Sequence, residues 1–206
     1  MWFSVLIAAL VSYMLGNLNG AVCVSALMHD DVRSHGSGNA GLTNFIRNYG
    51  AGRASLVILI DAGKAALACV AGGLLLQPYL DFISGAAIGG VAVMLGHDFP
   101  ALLGFRGGKG ILSGLFIALV MDWRVGLIIL GVFAVAYLLT HYVSLGSVLA
   151  AVAFAVAFGA LHQDNMLVIL ASVFMGVLTV FMHRGNILRL LKGEERKTDL
   201  FKAGKQ

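Results

Sequence analysis

The feature that most constrains this chain is a series of apolar stretches, each nearly free of charge, that follow one another along most of its length. They cover residues 3–28, 54–77, 80–103, 110–121, 125–140, 146–161 and 165–182. A helix needs about 20 apolar residues to cross the hydrocarbon core of a bilayer, and several stretches approach that length. Hydrophobic residues make up 59% of the chain, against about 45–50% in soluble domains. The sequence therefore predicts an all-α, polytopic transmembrane bundle of about seven helices.

The shorter stretches leave the helix count open. Residues 110–121 are too few for a full span, and 125–140 and 146–161 are borderline. Short helices are accommodated when the bilayer thins or when flanking residues extend the helix. Five or six helices with a re-entrant piece is the alternative. We expect one domain over residues 1–206, in which residues 193–206 form a charged cytoplasmic tail.

The distribution of positive charge predicts the orientation. If the N-terminus lies outside, the cytoplasmic segments contain all 14 Lys and Arg residues except Lys64 and Arg124. These segments are 29–53, 104–109, 141–145 and 183–206. Loops rich in Lys and Arg stay on the cytoplasmic side, so the N-terminus is predicted outside and the C-terminus in the cytoplasm. The same asymmetry accounts for the net charge of +4 without a nucleic-acid partner.

The first cytoplasmic loop carries a glycine-rich segment, Gly-Ser-Gly-Asn-Ala-Gly over 36–41. Glycine permits positive φ, so that successive backbone N–H groups can converge on an anion. Neutral donors follow from Ser37, Asn39, Thr43 and Asn44. If residues 42–50 are helical, Arg47 shares a face with Thr43 and Asn44, and a guanidinium suits phosphate. The alternative is a flexible Gly/Ser loop with a topogenic arginine; the donor-rich pattern favours a phosphate site.

The second cytoplasmic loop reads Gly107-Gly108-Lys109-Gly110. It is not a Walker A loop, because Leu103 stands where that motif has glycine and Gly110 where it has Ser or Thr. A nucleotide triphosphatase is therefore disfavoured. Glycines still allow an anion to approach the backbone closely, and Lys109 supplies a point charge. A plain basic turn explains this loop equally well by itself; the first loop on the same face favours an anion site.

The last two cytoplasmic loops add hydroxyl, imidazole and amide groups. Ser144 and Ser147 are either small packing residues or donors to the same anion. His183 and Asn186 are three residues apart and can point the same way. Histidine serves as a general base or binds phosphate, and asparagine can orient it or a substrate hydroxyl. A single interfacial histidine is more often structural, so both interpretations stay open.

Two charges lie within the second apolar stretch, where a charge costs roughly 2.5–3.5 kcal/mol on insertion scales. Asp61 and Lys64 are three residues apart, which allows an ion pair, and a position facing the site is the alternative. Cys23 and Cys69 are far apart, and the histidines show no metal-binding spacing. We expect no metal and no other cofactor.

Five short motifs follow one another in order along the chain. They are Gly-Ser-Gly-Asn-Ala-Gly-Leu-Thr-Asn (36–44) with Arg47, Gly-His-Asp-Phe-Pro (96–100), Gly-Phe-Arg-Gly-Gly-Lys-Gly (104–110), Val-Ser-Leu-Gly-Ser (143–147) and His-Arg-Gly-Asn-Ile (183–187). Each motif is weak by itself, but the set of five is specific and covers nearly the whole chain. In this it resembles the bacterial acyl-phosphate:glycerol-3-phosphate acyltransferases, the PlsY family.

The resemblance implies a seven-helix enzyme of the bacterial cytoplasmic (inner) membrane whose active site faces the cytoplasm. It would transfer a fatty acyl group from acyl phosphate to the sn-1 hydroxyl of glycerol 3-phosphate, giving lysophosphatidic acid and inorganic phosphate for phospholipid biosynthesis. The implied partners are these two substrates and membrane lipid; oligomeric state is left open. The implied catalytic residues are Lys109, His183, Ser37 and Asn39. The implied substrate-binding residues are Gly38, Thr43, Asn44, Arg47, Gly107, Gly108, Ser144, Ser147 and Asn186.

The main alternative function is a membrane transporter for phosphate or an organic phosphate. Asp61 and Lys64 would then mark a pathway through the membrane. Against it, the anion-binding residue types lie on one face only, and the sequence shows no inverted repeat. A non-catalytic lipid-binding protein would explain the basic tail but not the glycine-rich loops.

Overall fold

The computed structural model describes residues 1–198, and regular structure within them is entirely helical. Its helices are α1 (Trp2–Gly16), α2 (Gly20–Ala26), α3 (Leu42–Tyr49), α4 (Ala54–Leu76), α5 (Phe82–Asp98), α6 (Ile111–Met121), α7 (Trp123–Thr140), α8 (Val143–Leu161), α9 (Met166–Met182) and α10 (Arg184–Leu191). Each of the seven predicted apolar stretches forms helix, so the all-α prediction is confirmed.

Within residues 1–198, up to six segments are long and apolar enough to span a membrane. Four come from α4, from α5 with its following 3-10 turn, from α7 and from α8; the other two are the bent pairs α1–α2 and α9–α10. The shorter α6 has 11 residues. It nevertheless joins the two ends of the bundle: Lys109, just before it, donates to Asn186, whereas Asp122, just after it, lies 3.0 Å from His162 Nε2.

The first apolar stretch, predicted as one helix over 3–28, is bent by 43° between α1 and α2. The bend satisfies buried polar groups. Asn19 caps α2 with its side chain, and Gly20 N donates to Asp61 Oδ1 at 3.0 Å. The freed carbonyl of Leu18 accepts from Lys64 Nζ at 2.6 Å. The ion pair inside α4 therefore selects the break in the neighbouring span.

The helices pack through small residues and expose their large apolar side chains. Gly72 on α4 lies so close to α5 that a Cβ there would stand 2.5 Å from the carbonyl oxygen of Gly85. Close backbone approach of this kind favours helix association in lipid, where apolar side chains gain little by leaving the solvent. Leu59, Leu139 and Val156 are 69%, 79% and 65% exposed. Such a surface suits a bilayer.

The C-terminal segment, predicted as a charged cytoplasmic tail over 193–206, packs against the bundle as far as residue 198. A 56° bend separates α9 from α10, and α10 ends in a Schellman motif: Gly193 has φ +71°, and the next N–H donates to the carbonyl of Arg189. The chain then turns back over the bundle, where Glu195 and Thr198 are buried. Their polar partners, described below, explain this. The remainder of the predicted tail, 199–206, lies outside the described residues.

Candidate active site

The four predicted loops meet at one cavity of about 380 Å³. That volume is within the range of small-molecule sites in proteins. The predicted residues that line it are Ser37, Asn39, Thr43, Asn44, Arg47, Lys109, Ser144, Ser147, His183 and Asn186. Residues up to 149 positions apart in sequence are thereby brought together (37 to 186).

Three predicted residues, Gly38, Gly107 and Gly108, are not among the lining residues. Gly108 N donates to the carbonyl of His97 at 3.0 Å. A Cβ on Gly108 would lie 2.0 Å from His97 Nε2, and one on Gly107 would lie 2.0 Å from the His97 carbonyl oxygen. These two glycines therefore let the loop pack on the end of α5. Their contribution to the site is to position Lys109.

The glycine-rich loop is organised by Asn44, which is buried at the start of α3. Its Nδ2 donates to the carbonyls of Val32, His35 and Asn39, and its Oδ1 accepts from the N–H of Ser37 at 3.0 Å. Both ends of the amide are used inside the protein, so Asn44 shapes the loop rather than donating into the cavity. The Ser37 N–H is likewise unavailable for the predicted anion nest.

The face of α3 that carries Thr43 and Arg47 lines the cavity, as the i, i+4 spacing predicted. Arg47 reaches across to the C-terminal segment. Its Nε donates to Thr198 Oγ1 at 3.1 Å, and its Nη2 to the carbonyl of Arg196 at 3.4 Å. The guanidinium is thus held beside the cavity by residues far away in sequence.

A chain of polar contacts links Lys109 to two residues that the sequence analysis missed. Lys109 Nζ donates to Asn186 Oδ1. Asn186 Nδ2 donates to Glu195 Oε1 at 2.7 Å, and Arg189 Nε donates to Glu195 Oε2 at 2.8 Å. Arg189 could have been predicted from the sequence, because it lies three residues after Asn186 and therefore on the same face of a helix. Glu195 gives no such signal.

His183 is buried at the junction of α9 and α10. Its Nδ1 lies 2.8 Å from the carbonyl oxygen of Thr179. A carbonyl can only accept, which assigns the proton to Nδ1 and, in the neutral ring, a lone pair to Nε2. Because His183 lines the cavity, this nitrogen is suited to accept a proton from a substrate hydroxyl.

The electrostatic character of the site is cationic. Burial, together with the nearby positive charge of Arg189, lowers the pKa of Lys109 to about 8. A phosphate dianion would compensate both effects, since an opposite charge favours the protonated amine.

Activity that depends on the Lys109 cation is therefore expected to be lost as pH rises. The protonated amine dominates below pH 8 and is titrated away above it. kcat/KM reports groups of the free enzyme, so we expect it to fall about tenfold per pH unit on the alkaline side. The measurement is a pH profile of kcat/KM for glycerol 3-phosphate. Lys109→Arg keeps its charge, so its falling limb should move to higher pH; coincident limbs would contradict the assignment.

The rest of the cavity is apolar. Its walls come from α6, α7, α8 and α9, and include Leu115, Ile129, Phe133, Phe154 and Met175. Leu130, also in the lining, is 45% exposed. The cavity therefore joins a cationic end among the loops to an apolar end among the membrane helices, which suits an amphiphilic ligand.

Asp61 and Lys64 inside α4 form the predicted ion pair, and Asp61, but not Lys64, also lines the cavity. They form an ion pair of 2.7 Å, and Lys64 Nζ also donates to His97 Nδ1 at 2.8 Å. Asp61 and His97 line the inner part of the cavity. His97 thereby connects the ion pair to the loop of Lys109, because the same residue packs against Gly108.

Comparison with known proteins identifies the family. A family model described as glycerol-3-phosphate acyltransferase matches residues 6–193. The glycerol-3-phosphate acyltransferase of Synechococcus sp. (strain JA-3-3Ab) is 42% identical over 153 residues, which are 74% of this chain and 73% of that protein. The one of Clostridioides difficile (strain 630) is 36% identical over 148 residues, 71% of this chain and 72% of that protein.

Solved structures give the same result. The crystal structure of PlsY, an integral membrane glycerol 3-phosphate acyltransferase, in its glycerol 3-phosphate form has a TM-score of 0.88 at 29% identity, covering 98% of this chain and 100% of that chain. Its lysophosphatidic acid form has a TM-score of 0.84, covering 97% and 98%. The chain therefore belongs to the glycerol-3-phosphate acyltransferase family and has the fold of the integral membrane enzyme PlsY.

Proposed function

We propose that this protein transfers a fatty acyl group from acyl phosphate to the sn-1 hydroxyl of glycerol 3-phosphate, releasing lysophosphatidic acid and inorganic phosphate. The observation that carries the proposal is the single cavity with a cationic and an apolar end. Both substrates carry phosphate, which the cationic end suits, and the acyl chain suits the apolar end. The bound forms named for PlsY, with glycerol 3-phosphate and lysophosphatidic acid, are a substrate and a product of this reaction.

The proposed acyl-phosphate donor is compatible with the residues that line the cavity. An acyl phosphate is already activated, so the reaction requires neither a nucleophilic side chain nor a metal ion. The hydroxyl oxygen forms a bond to the acyl carbon, and the bond between that carbon and the phosphate oxygen breaks with its electron pair leaving on phosphate. Lys109 stabilises the charge on the departing phosphate, and alignment of the two substrates supplies much of the remaining rate.

The hydroxyl proton has two possible acceptors. One is Nε2 of His183, whose lone pair is set by the hydrogen bond from Nδ1 to Thr179. The other is an oxygen of the acyl phosphate itself. Ser37 and Asn39 line the same cavity and would donate to phosphate oxygens. Ser147 also lines it, and its Oγ donates to the carbonyl of Val143 at 2.8 Å.

The proposed orientation puts this site on the cytoplasmic side of a bacterial inner membrane. The loops that form it carry most of the Lys and Arg residues of the chain, and such loops stay in the cytoplasm. The curated relatives come from bacteria. Attachment of a reporter after the C-terminus tests the topology: cytoplasmic activity is expected, and periplasmic activity would reverse the assignment.

The function is tested with purified protein in detergent. Acyl phosphate, acyl-CoA and acyl carrier protein are offered as donors, and phosphate release and lysophosphatidic acid are both measured. We expect turnover with acyl phosphate that depends on glycerol 3-phosphate, and a product acylated at sn-1. Turnover only with acyl-CoA or acyl carrier protein would refute the donor. Uptake of labelled glycerol 3-phosphate into vesicles without acylation would favour a transporter.

His183→Ala is expected to lose activity. Loss of a general base costs about 10²–10⁴-fold in rate. His183→Asn is the matched variant, because it keeps a donor near the Thr179 carbonyl but lacks Nε2. Both variants should lose turnover to a similar extent if Nε2 takes the proton. If turnover falls by less than about tenfold while KM rises, His183 binds substrate and the proton goes to phosphate.

A further inference from the structure

The C-terminal segment 194–198, called the strap below, lies across the cationic end of the cavity. Its Glu195 lines the cavity and is 8% exposed. Beyond it, Thr198 N donates to the carbonyl of His141 at 3.0 Å, and Tyr137 Oη donates to the carbonyl of Thr198 at 2.9 Å. The strap is thus fastened to the end of α7 and to the turn between α7 and α8.

The strap occupies donors that a substrate phosphate needs. Glu195 accepts hydrogen bonds from Nδ2 of Asn186 and Nε of Arg189. Oδ1 of Asn186 accepts a hydrogen bond from Lys109. One of the two N–H groups of Asn186 Nδ2 is therefore directed to Glu195 and not to substrate. Nε of Arg47 is similarly directed to Thr198 Oγ1. The anion-binding side chains are thus partly satisfied by the protein itself.

A carboxylate with two oxygens on an asparagine amide and a guanidinium has the geometry of a bound phosphate. Burial alone would raise the pKa of Glu195, but the hydrogen bonds from Asn186 and Arg189 outweigh it and lower the pKa below its ordinary value. Glu195 is therefore anionic at neutral pH. A second anion on the same donors would be repelled by it, so Glu195 and a substrate phosphate compete.

We propose that the strap is an autoinhibitory closure of the phosphate site, in which the Glu195 carboxylate occupies the place of a substrate phosphate and is displaced when glycerol 3-phosphate binds. The proposal rests on the proposed function, since it names glycerol 3-phosphate as the displacing ligand. It adds Arg189 to the residues that contact the substrate phosphate, because displacement frees its guanidinium.

The strap is built to move. It contains no large apolar residue, and its Arg196 and Lys197 are exposed, so its release uncovers polar groups rather than core. Gly193 precedes it with φ +71°, a conformation that glycine leaves and re-enters with little strain. The contacts that hold it are hydrogen bonds and one cation–π contact, Lys197 Nζ over the ring of Tyr142 at 5.5 Å. In the proposal the substrate replaces the hydrogen bonds of Glu195, which is buried.

Limited trypsin digestion of the wild-type protein tests displacement directly. Arg196 and Lys197 are cleavage sites within the strap, and Arg124, exposed at the opposite end, is the internal reference. Inorganic phosphate and glycerol 3-phosphate are added separately, against chloride at equal ionic strength. We expect either phosphate to accelerate strap cleavage by about threefold or more, with cleavage at Arg124 unchanged. Unchanged or slower strap cleavage would overturn the proposal.

The matched variants are Glu195→Gln and Glu194→Gln, which remove the same charge from adjacent residues; Glu194 is exposed. Closure reduces the apparent affinity by the fraction of open protein. We therefore expect Glu195→Gln to lower the KM for glycerol 3-phosphate by about three- to tenfold and Glu194→Gln to leave it unchanged. A merely structural Glu195 would give the opposite sign, and a KM that is unchanged or raised rejects autoinhibition.

The two proposals fail separately. If the wild-type protein forms no lysophosphatidic acid from any donor, the proposed function fails, and the proteolysis result with inorganic phosphate still decides whether the strap is displaced. If the wild-type protein turns over normally but phosphate does not promote strap cleavage, the closure fails and the function stands.

Discussion

Lys109→Ala is expected to lower kcat/KM for glycerol 3-phosphate by about two to three orders of magnitude, the cost of removing one electrostatic donor from a preorganised site. The side chain lies in the cavity beside Asn186, and its cation faces the charge that develops on the departing phosphate. The measurement is the initial rate of phosphate release and of lysophosphatidic acid formation in detergent, at saturating acyl phosphate.

Lys192→Ala is the control for this variant. It removes the same charge from an exposed residue at the end of α10, and its rate should stay within about twofold of wild type. Lys109→Arg should recover only part of the loss, because a planar guanidinium does not replace a compact ammonium. Lys109→Ala activity within about threefold of wild type, in a protein with an unchanged melting temperature, would remove Lys109 from the mechanism.

The fold was predictable from the sequence because bilayer thickness sets the length of a spanning helix. In addition, Lys and Arg residues mark the cytoplasmic loops between the helices. The same reasoning located the loops of Lys109 and His183 at one site. It could not predict the bend after Gly16. The backbone groups at that bend form hydrogen bonds with Asp61 and Lys64, which lie on another helix. Periodicity within one segment carries no information about such a partner.

The roles of individual site residues were harder to predict. Gly107 and Gly108 were expected at the phosphate, yet they pack against His97. Asn44 was expected as a donor to substrate, yet its amide holds the loop together. In each case residue type indicated the correct neighbourhood but not which atom faces the cavity. Glu195 escaped notice because a carboxylate in a tail of mixed charges has no pattern of its own.

Asp61→Ala is expected to give the largest loss of stability among single substitutions. The pair it breaks is 2.7 Å long, and both side chains are only 2% exposed. Removing one partner of a buried pair typically costs about 3–5 kcal/mol, because the remaining charge is left buried without a counter-ion. Gly20 N also loses its acceptor. The measurement is the thermal midpoint in detergent, which should fall by about 10 °C.

Two variants separate this mechanism from general damage. Arg124→Ala breaks an ion pair of 2.6 Å whose arginine is 52% exposed, and such a pair is worth about 1 kcal/mol or less. The double variant Asp61→Ala/Lys64→Met removes both buried charges, so it should recover a large part of the loss seen in Asp61→Ala. If the double variant is no more stable than the single one, an orphaned charge is not the cause. The bend between α1 and α2, which depends on Lys64 for the carbonyl of Leu18, would then be the element whose loss destabilises the bundle.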